Sequence, residues 1–222
     1  MVIRVRVNLS TEKNYFIIVI IFSFLAGIPY IGSLFGIIAI ILMYLGFKGY
    51  EEKLGLKKPK ELYVKSIIAS IIGVILIIGL FIVVSGHSNE ETVHYTYEYY
   101  DYNYADYYEE PGSDEGFSVV LFTLFLFWVV EIIATWYSTL AFVELGHYFG
   151  IKEFETYRTA VLALYIGLPL WIILSFLIIG LFVMILLAVI ALVYYLLGIS
   201  KLPSSWEKEE TTLGTTSSPI IY

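Results

Sequence analysis

HSNEETVHYTYEYYDYNYADYYEEPGSDEG, residues 87–116, decides how the rest of the chain is read. It carries nine carboxylates (Glu90, Glu91, Glu98, Asp101, Asp106, Glu109, Glu110, Asp114 and Glu115) and eight tyrosines between Tyr95 and Tyr108, with no lysine or arginine. The sequence on either side is apolar over stretches too long for a soluble core. A charge at the centre of a bilayer costs about 3 kcal/mol or more. A polyanionic segment is therefore expected outside the hydrocarbon, separating two membrane-embedded halves.

Composition supports this division. Hydrophobic residues make up 59% of the 222 and charged residues 15%, with a mean hydropathy of +0.82. Runs such as residues 67–84, interrupted by Ser70, do not alternate, whereas a membrane barrel alternates apolar and polar residues. The expected fold class is an all-α, polytopic transmembrane bundle of about six spans in contact with lipid. The absence of cysteine excludes disulfides, thiolate metal sites and a cysteine nucleophile.

Five segments follow. Residues 1–14 form a cytoplasmic arm, 15–86 a first membrane half of three spans, and 87–116 the extracytoplasmic acidic, Tyr-rich loop. Residues 117–200 form a second half of three spans, and 201–222 a Ser/Thr-rich tail expected to be disordered. Arg4, Arg6 and Lys13 ahead of a short apolar run resemble a signal peptide, but the apolar sequence resumes at once, which favours a retained first span. The run from Tyr15 to Phe47 is too long for one crossing, and Pro29 with Gly27 and Gly32 marks the break. One kinked span is the rival there, and in either terminal hairpin it would reduce six spans to five. Residues 48–65 hold six lysines against three glutamates and suggest a short interfacial helix ending at Pro59. The run 117–149 should outlast the bilayer, carry Glu144 and His147 beyond it, and stop at Gly150. In the last hairpin the turn is expected between Ser175 and Gly180.

With six spans, all 13 basic residues fall on one aqueous side and none on the other. The positive-inside rule then places both termini in the cytoplasm of a multi-pass cell-membrane protein.

Few polar groups interrupt the spans. Glu131 lies near the middle of the fourth, with Thr135, Ser138 and Thr139 following at helical spacing, so one polar stripe runs down an apolar helix. It is either a proton or cation site (Glu131, Thr135, Ser138) or a protonated glutamate tying two helices together. Gly32 to Gly36 forms a GxxxG, and Ser66, Ala69, Ser70 and Gly73 give a matching small face for packing within the chain or between copies. Pro169 frees a carbonyl one turn earlier, as a hinge or a static kink. In the acidic loop, Glu98, Asp101, Asp106, Glu109 and Glu110 could hold divalent cations or dock a basic extracellular or membrane-protein partner, although the spacing matches no EF-hand. The same composition also suits a solvated loop without a ligand. His87 and His94 could join a metal there, but which metal is unknown from the sequence.

Two stretches resemble a known family: IPYIGSLFGIIAIILMYLGFKGYEEKLG, residues 28–55, and LAFVELGHYFGIKEFETYRTAVLALYIGLPLWIILSFLIIGLF, residues 140–182. Their Pro-x-x-Gly turn, Gly-x-Lys-Gly helix end and Gly-x-x-x-Phe connection are similar to those of DUF996, an archaeal family of uncharacterised integral membrane proteins. The resemblance implies a membrane bundle but no activity or functional residue.

No GxSxG, HExxH or phosphate-binding loop occurs, and no basic face suits nucleic acid. The expected protein is not an enzyme and needs no cofactor. It is expected to be a structural or accessory subunit of a membrane assembly. The alternative is a small-solute or ion permease using Glu131.

Overall fold

The structure is a computed structural model and describes residues 2–98, 113–175 and 179–211. The elements are β1 (Val2–Asn8), α1 (Ser10–Leu25), α2 (Gly32–Leu54), α3 (Lys57–Glu98), α4 (Ser113–Phe149), α5 (Glu153–Ile166), α6 (Leu168–Ser175), α7 (Ile179–Lys201) and β2 (Ser205–Thr211). The described residues are almost wholly helical, and among them four helices, α2, α3, α4 and α7, are long and apolar enough to cross a membrane. The other two expected spans look different. α1 has 16 residues and rises only about 24 Å, less than a hydrocarbon core of about 30 Å. The fifth is broken at Gly167 into α5 and α6.

Local chemistry explains the breaks. Between α1 and α2 the residue with positive φ is Tyr30, at 68°. Gly32 serves a different purpose: a β-carbon there would stand 2.0 Å from the Ala26 carbonyl oxygen, so only glycine lets α2 start against the end of α1. That contact lies within the chain, as one reading of the GxxxG requires. Pro169 has no N–H to offer the Tyr165 carbonyl four residues back. That oxygen instead accepts from one capping backbone N–H and, at 2.9 Å, from the Trp128 indole of α4. α4 ends as the sequence suggests. Gly150 has φ 70°, and Ile151 N–H reaches back to the Gly146 carbonyl at 2.8 Å, a Schellman closure.

Three sequence expectations are corrected. No separate interfacial helix fills residues 48–65, because α2 runs on to Leu54, turns through Gly55 (φ 77°) and Leu56, and α3 begins at Lys57. Pro59 sits in the first turn of α3, where its missing N–H costs nothing. Residues 87–98 continue α3 and residues 113–116 open α4, so only residues 99–112 fall between the two helices. Those residues, with Asp101, Asp106, Glu109 and Glu110, lie outside the described residues, as do 176–178 in the last hairpin and 212–222 of the tail. The tail is not wholly disordered: residues 205–211 pair antiparallel with residues 2–8. The pairing sets Arg6 opposite Glu207 and Val7 opposite Trp206, so a charge pair and an apolar pair fix the register.

α1 packs on α2, α3 on α4, and α5 on both α4 and α7. The buried core is gathered at the end of the bundle that carries the sheet. There Phe142 lies 5.0–6.0 Å, centroid to centroid, from the rings of Phe16, Phe47, Phe154, Tyr157 and Tyr195. Ion pairs tie the same helix ends together. Lys53 joins the buried Glu12 at 2.7 Å, Lys58 joins Glu144 at 2.7 Å, and Lys201 joins Glu153. Lys13 donates to the carbonyls of Ser200 and Leu202, both at 2.8 Å, capping the C-terminus of α7. Away from this end the helices show exposed isoleucine, leucine and phenylalanine on their outer faces, the pattern of a lipid-facing surface.

Candidate functional site: a hydroxyl-lined cleft at Glu131

The exposed apolar band gives a depth scale. On α3 it runs from Ile68 to Ile82 and on α4, Tyr148 aside, from Val119 to Trp136. Lys65 on α3 stands 5.9 Å from the Tyr137 ring of α4, at the edge of that band. Glu131 is five residues inside Trp136, about 7 Å along the helix axis.

Here α3, α4 and α5 leave a cleft of about 260 Å³. α4 contributes Glu131, Ala134, Thr135, Ser138 and Thr139, α3 contributes Ser66 and Ser70, and α5 contributes Tyr157, Val161 and Tyr165. The stripe expected from the sequence, Glu131 with Thr135 and Ser138, is thus brought together on one wall. Spacing along α4 could not supply the opposite walls. The two serines looked like packing residues, and Tyr157 and Tyr165 gave no sign of facing α4. Gly73 belongs with them: a β-carbon there would stand 3.1 Å from Glu131 Oε1, so the missing side chain makes room for the carboxylate.

The hydroxyls are not equivalent. Thr139 donates to the Thr135 carbonyl at 2.8 Å, which commits its proton within α4. Tyr165 of α5 lines the same cleft as Glu131 and Thr135. Among the described residues, no lysine, arginine or histidine forms an ion pair with Glu131. One carboxyl surrounded by neutral oxygen donors suits a proton or a small monovalent cation, whereas divalent ions favour several carboxylates. Among the described residues no group of three or more His, Asp or Glu side chains could hold a metal.

The loop set is not assembled. Glu98 is the last described residue of α3, and Asp101, Asp106, Glu109 and Glu110 lie outside the described residues. The backbone at His87 and His94 is α3 helix.

Apolar helices of this length are compatible with a helical membrane protein. The chain belongs to DUF996, a family of proteins of unknown function, whose model matches residues 35–193, more than two thirds of its length. The match contains the whole cleft and omits α1 and both strands. No curated protein and no solved structure matches the chain.

Proposed function

We propose that the chain is a small-solute or ion permease of the cell membrane in which Glu131 takes up and releases a proton or a small cation. The observation that carries this reading is the cleft itself. A glutamate used only to tie two helices together would be expected against one partner, whereas Glu131 faces hydroxyls from three helices across an open space. The helices cross six times, with the short α1 and the broken α5–α6 pair supplying the two crossings beyond the four long ones. Both termini lie in the cytoplasm, because the lysines and arginines gather at the sheet end. The break at Gly167 and Pro169 puts an interrupted helix on one wall of the cleft, where a wall that can bend would be useful.

The test is flux in liposomes. Purified protein should move protons, sodium or potassium down an imposed gradient faster than empty vesicles, and Glu131→Gln should return flux to the empty-vesicle level without lowering Tm. A Glu131→Gln protein that melts earlier but conducts normally would make the glutamate structural. The other reading is a structural or accessory subunit that presents the acidic, Tyr-rich segment 87–116 outside the cell. It rests on that segment's composition, and a stoichiometric partner retained from native membranes would favour it.

A further inference from the structure

A second polar site lies on the outer surface, between α4 and α5. Arg158 lays its guanidinium over the Trp136 ring at 4.0 Å from the centroid. Its Nε is buried and has no hydrogen-bond partner. Among the described residues no carboxylate pairs with it; the nearest acid along the same face, Glu155, is engaged by His147 at 3.1 Å. A buried guanidinium N–H without an acceptor costs free energy that a ligand oxygen would return.

The groove holding this group has a volume of about 600 Å³ and changes character along its length. At the sheet end it is lined by His147, Glu155, Arg158 and Thr159, with the Glu155 carboxylate occupied by His147. One to two turns further along α5 come Leu162 and Ala163, across from Trp136. Beyond them Ile166 and Ile133 are exposed on the apolar band. Polar head, aromatic girdle and apolar slot follow one another in the order a lipid presents at a membrane surface.

We infer that this groove binds the phosphodiester of an anionic membrane phospholipid. Arg158 grips the phosphate, and Trp136, Leu162 and Ala163 take the first part of an acyl chain. Guanidinium suits this task because its planar fork of N–H donors matches two phosphate oxygens while its face stacks on indole. Basic pockets between membrane helices on the cytoplasmic side favour such headgroups. The inference needs the membrane placement proposed above but not Glu131, so failure of the flux assay would leave it standing, and its own failure would leave the cleft untouched.

The experiment is native mass spectrometry of the full-length, detergent-released protein titrated with phosphatidylglycerol, with phosphatidylcholine and inorganic phosphate as separate arms. Wild-type protein should retain one phosphatidylglycerol in preference to phosphatidylcholine, and inorganic phosphate should not displace it. Arg158→Gln should weaken retention about tenfold or more. Arg158→Lys, which keeps charge but loses the fork, should fall between. Leu162→Trp, which fills the apolar slot and leaves the charge alone, should also weaken it, and decides the matter if Arg158→Gln fails to fold. Equal retention by wild type and a folded variant, equal retention of the two lipids, or displacement by inorganic phosphate would overturn the assignment.

Discussion

Glu131 was legible because it is a lone acid in an apolar run, and Thr135 and Ser138 because helical spacing places them on its face. Ser66, Ser70, Tyr157 and Tyr165 were not legible as its neighbours, since contact between helices leaves no mark along any one of them. Arg158 was counted only as one positive charge among thirteen; nothing local announces that its guanidinium lies on Trp136. At this scale pH gives a direct test. The hydrogen bond from Lys201 holds the Glu153 carboxyl below the usual carboxylate range. A carboxylate depressed on folding stabilises the protein above its unfolded pKa, about 4.3 for glutamate, and loses that contribution as pH falls through the lower folded value. Glu153→Gln should therefore melt below wild type at neutral pH, with the difference shrinking as the solution is acidified. A difference constant down to strongly acidic pH would contradict the pairing.

Among the elements, the helices were legible from apolar run length, and α4 ended at Gly150 as its sequence indicates. The sheet was missed despite alternating residues in β1, because its partner strand lies near the opposite terminus, with no hairpin turn to announce the pairing. The extent of α2 and α3 was misjudged because lysine-rich sequence was taken for a separate connection, when it is the continuation of both helices beyond the apolar band. α1 seats on α2 through glycine notches: a β-carbon at Gly46 would come within 2.5 Å of the Phe16 ring, and one at Gly49 within 2.4 Å of Glu12. Gly46→Ala should cost about 1–3 kcal/mol by overpacking and lower Tm. Gly79→Ala, with nothing within 4 Å of the added carbon, should leave Tm unchanged or slightly raised. Equal melting of the two variants would mean that α1 does not rest on α2 as described.

In the whole molecule, charge and packing share one axis. At the helix ends Lys53, Lys60, Lys58 and Lys201 are held by Glu12, Glu51, Glu144 and Glu153 around a core of stacked aromatic rings, and the helices extend from that end as a greasy bundle. The cleft at Glu131 and the groove at Arg158 both lie near where the packed end meets the apolar band, so each depends on which side of the membrane that end occupies. The chain has no cysteine, so a single introduced thiol reports its own location. Ser113→Cys and Lys152→Cys, expressed separately in intact cells and treated with a membrane-impermeant maleimide, test the arrangement most directly. Labelling is expected at position 113 in intact cells and at position 152 only after the cells are opened. Labelling of position 152 from outside, with 113 protected, would contradict it.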